Sequence, residues 1–158
     1  MINPEGDMLG EAQWQWLEKE LGRKDIKLFI IGNGTQIIPD KYPYEKWANF
    51  PKSRNRLFNL LQKNQDKKFI LLSGDLHTGE ISRITPEGFS SPLYEHTSSG
   101  LTHYFIKIPK NKYRKGRPAK KINFGLIEIV WNEQPVKVKL QIIGMKNKII
   151  TEKVISLE

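Results

Sequence analysis

The stretch Lys67-Lys68-Phe69-Ile70-Leu71-Leu72-Ser73-Gly74-Asp75 decides the fold class. Its apolar run shows no alternation, as expected of a strand covered on both faces, and it ends at a Gly-Asp pair that turns the chain. Upstream, Ile26-Lys27-Leu28-Phe29-Ile30-Ile31 is a second short, β-branched run that stops at Gly32-Asn33-Gly34. Between them a helix is predicted from Ser53 to about Asn64. Leu57, Leu60 and Leu61 share its inner face, Arg54, Arg56 and Lys63 lie elsewhere, and Ser53 suits the N-cap. Strand, helix, strand in this order predicts a parallel pair with a right-handed crossover. An earlier helix is predicted from Leu9, Trp14, Leu17 and Leu21, which recur near helical spacing before Gly22. Trp14 then belongs to the core and Trp16 to the rim.

Residues 35–52 read as a long loop whose aromatics, Tyr42, Tyr44, Trp47 and Phe50, argue against disorder and for the lining of a site. Past Asp75 the pattern changes. Glu80-Ile81-Ser82-Arg83-Ile84 alternates, Pro86-Glu87-Gly88 turns, and Pro92 to Ser98 extends again as a hairpin. Phe124 to Trp131, Val136 to Ile143 and Lys148 to Leu157 are three further strands. The fold class is therefore α/β (α+β), a parallel strand-helix-strand unit followed by antiparallel strands, in a single domain over residues 1–158.

The composition bounds the chemistry. The 158 residues contain no cysteine, so disulfides, thiolate metal sites and cysteine nucleophiles are excluded. No apolar run approaches the ~20 residues of a bilayer span. The first residues carry neither a basic n-region nor an apolar h-region, so no signal peptide is read and no compartment is assigned. The net charge of +9 is uneven. Lys107, Lys110, Lys112, Arg114, Lys115, Arg117, Lys120 and Lys121 fall in one acid-free stretch, residues 107–121, interrupted by Pro109, Gly116 and Pro118. It reads as an exposed, solvated loop, with contact to an anionic partner as the functional alternative. No aromatic-interleaved strand pattern accompanies it, so no specific nucleic acid is expected.

Gly74-Asp75-Leu76-His77-Thr78-Gly79-Glu80 is the segment richest in chemistry. A carboxylate and an imidazole two positions apart, just past a buried strand, can converge on one cation once a bend releases them from strand alternation. Such donors suit iron, manganese or zinc, and the carboxylate alone suits calcium or magnesium. The alternative is a turn Asp capping local N–H groups beside a surface His. Ligands of open α/β sheets gather beyond the carboxyl ends of strands, where Gly74-Asp75 and Gly32-Asn33-Gly34 both fall. Arg54, at the start of the second helix, could fork onto phosphate oxygens or pair with Glu45 or Asp40. Asn33 lies in a turn able to bring N–H groups toward an anion. His103 could approach from the hairpin side, although a structural role is the more ordinary one for it. His96 is given no functional role.

Several segments together carry a resemblance. Asp7-Met8-Leu9-Gly10-Glu11-Ala12-Gln13-Trp14-Gln15-Trp16-Leu17, Gly32-Asn33-Gly34-Thr35-Gln36, Lys46-Trp47-Ala48-Asn49-Phe50-Pro51 and Gly74-Asp75-Leu76-His77-Thr78-Gly79-Glu80 resemble, in order and spacing, the alkaline phosphatase D (PhoD-like) family of metallophosphoesterases. Thr97 to His103 and Asn123 to Ile127 are similar to its later segments. The resemblance implies a hydrolase, phosphatase or phosphodiesterase, with a β-sandwich flanked by helices and two metal ions, iron with calcium foremost and manganese, zinc or magnesium as alternatives. It implies a phosphate-ester substrate attacked by a metal-activated water, and members that are often secreted or periplasmic. Asp75 and His77 match the family's last metal-ligand motif, and no catalytic residue beyond the ligands is singled out. Glu80 becomes a candidate acceptor for the second nitrogen of His77, against the alternative of a solvated strand-edge carboxylate. The Asp-rich earlier ligand motifs have no counterpart in Met1 to Gly6. The chain is thus expected to correspond to the C-terminal half of such a domain, to need the N-terminal half as partner, and to be poorly active alone. Sheet edges left open by that missing half predict self-association. The competing function is a non-catalytic basic module acting through residues 107–121.

Overall fold

The structure, a computed structural model, describes residues 2–41 and 43–157. Two sheets and two main helices form three layers. Helix α1 (Glu11–Leu21) is followed by β1 (Leu28–Gly32), a short 3-10 turn (Trp47–Asn49), α2 (Pro51–Lys63) and β2 (Lys68–Ser73). Then come β3 (Gly79–Ile84), β4 (Leu93–Ser98), β5 (Asn123–Val130), β6 (Val136–Gly144) and β7 (Ile149–Leu157).

The first sheet has the order β1-β2-β4-β3, with β1, β2 and β4 parallel and β3 antiparallel to β4. The expected β3–β4 hairpin is present. Its second arm also pairs in parallel with β2, through Ile70 opposite Tyr94 and Ser73 opposite Thr97, so the parallel unit is wider than the sequence grammar indicates. This explains the unbroken apolar run of β2, which is an interior strand with neighbours on both sides. Of the open sheet edges expected from a missing half, β2 shows none, and of the two early strands only β1 presents an edge unpaired by the described residues. The second sheet, β5-β6-β7, is an antiparallel meander.

Side chains of the first sheet alternate between two cores. Phe69, Leu71 and Leu93 join Trp14, Leu17, Leu21, Leu57 and Leu61 of the helices. Ile70 and Ile81 instead meet Val138, Leu140 and Ile142 of the second sheet. The first sheet is thereby sandwiched, and the ends of its parallel strands are held rigidly by packing on both faces.

Both helices start differently from expectation. Asp7, ahead of α1, accepts hydrogen bonds from Gly10 N (3.1 Å), Trp14 Nε1 (2.7 Å) and Ser53 Oγ (2.9 Å). It therefore anchors the buried Trp14, whose ring meets Trp47 edge-on at 6.2 Å. Ser53 is not the cap of α2. That helix begins at Pro51, whose missing N–H suits the first turn, and Ser53 binds the preceding segment by accepting Met8 N (3.0 Å). Gly22 ends α1 with an ordinary right-handed φ of −72°.

The basic segment 107–121 is not a free loop. Arg83 N donates to Tyr113 O (2.9 Å), Lys115 N to Ile81 O (2.8 Å) and Ala119 N to Gly79 O (2.8 Å), so the segment runs as an irregular border along the outer edge of β3. Two of its cations are committed internally. Arg114 pairs with the buried Glu80, and Lys112 with Asp40 at 2.8 Å. Edge coverage of this kind protects a sheet from adventitious pairing, which accounts for a Pro-interrupted, Lys-rich sequence here.

Candidate functional site

At the carboxyl end of β2 the chain leaves the sheet in a tight bend. Leu76 N donates to Gly74 O at 2.7 Å, which closes a three-residue turn centred on Asp75. Asp75 has φ 61° and His77 φ 52°, both in the left-handed region that side chains other than glycine avoid at a cost of about 1–3 kcal/mol each. Several anchors hold this conformation. Leu76 is buried, Gly74 N donates to Gly34 O (3.0 Å), His77 N donates to Ser99 Oγ (2.9 Å), and Phe105 N donates to His77 O (3.0 Å). Thr78 is fixed from below by its hydroxyl, which donates to Ala119 O.

The result places one exposed carboxylate and one half-buried imidazole on the lining of a cavity of about 200 Å³. Thr35, Gln36, Tyr44, Glu45 and Phe105 complete its walls. His103, its Nδ1 in a hydrogen bond with Thr102 Oγ1 (3.1 Å), lies with its ring 5.9 Å from that of His77. The structure thus brings Asp75 and His77 to one cavity and His103 against the ring of His77.

The other residues singled out from sequence are engaged elsewhere. Asn33 donates its side-chain amide to Thr35 O, and its backbone N–H donates to Leu72 O (2.9 Å), so it braces the turn after β1. Arg54 donates Nε to Ile37 O (2.7 Å) and Nη2 to Ile38 O (2.8 Å), with the guanidinium 4.7 Å over the Phe58 ring. Its fork is taken by backbone carbonyls, which leaves it neither on a phosphate nor on Glu45 or Asp40. Burial draws its pKa below the ordinary guanidinium value. Glu80 is 1% exposed and accepts from Gln36 Nε2 (2.9 Å), Asn111 Nδ2 (2.8 Å) and Arg114. It is not a solvated edge carboxylate, and its oxygens are engaged by Gln36, Asn111 and Arg114 rather than by His77. His96 bridges the two sheets, its Nε2 3.0 Å from Gln141 O, and burial lowers its pKa.

Sequence reasoning missed the polar lattice beneath the cavity. Glu95, fully buried on β4, accepts Ile37 N (2.7 Å) on one oxygen and Ile38 N (2.8 Å) on the other. Arg54 holds the carbonyls of the same two residues. Together they clamp both faces of the peptide at Ile37–Ile38, which fixes the neighbouring Gln36. Burial pushes the Glu95 carboxyl up to about 7 against the pull of its two backbone N–H donors. Gln36 donates to Glu80 and to Thr97 Oγ1 (2.8 Å), while its Oε1 finds no partner among the described residues. Only an isolated charge within a strand-like stretch, Tyr94-Glu95-His96-Thr97, hinted at such a network.

A two-metal centre was implied by resemblance, and the donors present fit part of one. Asp75 and His77 are oxygen and imidazole donors on a common wall. Among the described residues no group of three His, Asp or Glu is close enough to hold an ion.

The sequence pattern of PhoD-like phosphatase matches residues 1–123 of the chain. The chain belongs to this family. Over 108 residues it is 26% identical to alkaline phosphatase D of Bacillus subtilis (strain 168), a match covering 63% of the chain and 17% of that relative. A solved structure described as that of PhoD superposes with a TM-score of 0.68 at 14% identity, covering 98% of this chain and 33% of the other, which establishes the shared fold. The chain spans about a third of the length of that PhoD structure. The family is described as one of phosphatases. Two segments that carried the family resemblance have structural jobs. Asp7 through Trp14 forms the helix anchor described above, and in Lys46-Trp47-Ala48-Asn49 the Lys46 ammonium donates to Asn49 Oδ1 at 2.7 Å while Trp47 packs on Trp14. Among the described residues no helix is long and apolar enough to cross a membrane.

Proposed function

We propose that this chain contributes Asp75 and His77 to the metal centre of a hydrolase acting on phosphate monoesters or diesters. The observation that carries the reading is the bend: two donor residues held at positive φ, at the carboxyl end of an interior parallel strand, beside a cavity. Strain of this kind persists only where the surroundings over-determine it, and it clusters at functional sites. Bound metals, iron with calcium or with manganese, zinc or magnesium in their place, would polarise the phosphoryl oxygens and lower the pKa of an attacking water. Asp75 would bind through its carboxylate and His77 through a neutral ring nitrogen. The ring contacts of His77 with Phe105 (5.2 Å) and His103 (5.9 Å) limit its rotation and hold it toward the cavity.

The remaining donors would come from further polypeptide of the same enzyme. The open edge of β1 supports this. A strand laid parallel along it would end beside Gly34 and Asp75, where ligands of parallel sheets collect. On this reading the chain alone has little activity, since two donors hold a metal weakly. Anion binding through residues 107–121, the competing reading, would have to rest on cations other than Arg114 and Lys112, which are paired with Glu80 and Asp40.

Titration of the chain with Mn²⁺, followed by paramagnetic broadening of its NMR signals, tests the assignment. Broadening centred on residues 74–78, lost in both Asp75→Ala and His77→Ala, is expected. Broadening centred elsewhere, or unchanged in both variants, overturns it.

A further inference from the structure

Resting on that reading of the site, we propose that Phe105 and Tyr44 form a wall for the organic part of the substrate, so that the preferred phosphate ester carries a flat ring close to phosphorus. The two rings lie nearly parallel, 14° apart with centroids separated by 6.0 Å, and both line the cavity that holds Asp75 and His77. Phe105 is 39% exposed and Tyr44 49%, so a stacked aromatic pair stays partly in water at the cavity that Asp75 also lines. Large rings ordinarily bury such surface, and wet rings next to convergent polar groups are the mark of a ligand wall.

The placement of Phe105 is tied to the bend itself. Its N–H donates to His77 O and its ring packs 5.2 Å from the imidazole, so the wall and the metal donors are one rigid unit. The opposite side of the cavity is polar, with Thr35, Gln36 and Asp75. A cavity of about 150 Å³ already accommodates a benzene ring. The ~200 Å³ here therefore takes one ring at the aromatic side and leaves room for a phosphoryl group at the polar side. A bare phosphate or a short alkyl ester would leave both rings wet. Stacking of one ring on such a surface corresponds to about a two- to tenfold gain in affinity.

The test compares phenyl phosphate, methyl phosphate and phenol as NMR titrants of the full 158-residue chain. Phenyl phosphate and phenol are expected to shift the signals of Phe105, Tyr44 and His77, with phenyl phosphate binding about two- to tenfold more tightly than methyl phosphate. Phe105→Ala should bring that ratio near one while signals of the second sheet stay in place. Should Phe105→Ala disturb the fold, Phe105→Leu keeps the apolar bulk without the flat face and should also lower the ratio. Equal binding of the two esters, or phenyl-induced shifts centred on Trp16 or Trp131, overturns the proposal. Phenol shifting Phe105 in a chain whose bend ignores Mn²⁺ upholds the wall and removes the metal assignment, so the two readings fail separately.

Discussion

Two polar regions lie a few residues apart in this molecule and are built on opposite terms. Under the cavity, Glu95, Arg54, Glu80 and Arg114 are buried or half-buried, and their oxygens and N–H groups are engaged by backbone or side-chain partners. On the bend above, the Asp75 carboxylate is exposed and His77 shares its cavity wall, while the backbone beneath both is strained. The lower region commits its charge to holding structure. The upper one commits structure to presenting charge. A charged side chain whose hydrogen-bonding capacity is already used cannot serve a ligand, and this separates Arg54 and Glu80 from Asp75 and His77 although sequence made all four candidates.

The largest expected effect comes from breaking the lower region. Glu80→Ala removes the acceptor of Gln36, Asn111 and Arg114 and leaves a largely buried guanidinium without its carboxylate. Loss of one partner of a buried pair costs about 3–5 kcal/mol, a large share of the stability of a chain this size. Urea unfolding should show the midpoint falling accordingly. A change under ~1 kcal/mol would mean that the pair is far more hydrated than its geometry indicates.

Next in size is a pH effect. The carboxyl of Glu95 is raised to about 7 in the fold, above the ordinary 4.5. The folded chain therefore binds more protons than the unfolded chain between these values, and stability must fall as pH rises through that window. This contribution is full below about pH 4.5 and is lost as pH passes about 7, on the order of 3 kcal/mol in all. Glu95→Gln is less stable at acid pH, because its amide NH₂ confronts one of two backbone N–H donors. It should nevertheless remove most of the decline between pH 5 and 8 in paired melting curves. An unchanged slope would assign the decline to other groups.

These contrasts also show what the sequence could and could not reveal. The interior β2 strand was legible because both its faces are apolar, and the bend was legible because Gly74-Asp75 ends that run. Local pattern identified β3 and β4 as a hairpin yet was silent on the second neighbour of β4, since a parallel partner leaves no local trace. The commitment of Arg54 was invisible for a related reason. Its acceptors are main-chain carbonyls at Ile37 and Ile38, and any residue offers those. The basic segment read as exposed, and Lys107, Lys110, Lys112, Arg117, Lys120 and Lys121 are so, but composition counts charges and could not show that Arg114 pairs with the buried Glu80 of β3. What sequence conveys poorly is which charges have partners far along the chain.

A smaller effect is expected at the helix anchor, which lies on the structural side of the same divide. Asp7→Ala leaves the indole N–H of the fully buried Trp14 without its acceptor, at a cost of about 1–3 kcal/mol. The Trp14 hydrogen bond is the main influence holding the Asp7 carboxyl below its ordinary value, so this support is present at neutral pH and is lost as pH falls below about 4. Urea midpoints of the native chain and of Asp7→Ala should converge on acidification. Midpoints that keep their separation in acid would show that the carboxylate charge is not what holds the indole.

The smallest effect has the sharpest sign. At φ 52°, His77 sits where glycine is at ease, so His77→Gly removes backbone strain and loses only a half-exposed ring. Part of that gain is offset because glycine loses more freedom on folding. The balance should be a rise in stability of about 1 kcal/mol or less, together with loss of Mn²⁺ broadening at the bend. Asp75→Gly, at φ 61°, should behave in the same direction. The substitutions at Glu80 and Asp7 weaken the fold, so a gain here would be the signature of residues retained for chemistry against the preference of the backbone. A loss exceeding ~1 kcal/mol in both variants would place Asp75 and His77 with Glu80 and Arg54, as side chains the fold itself requires.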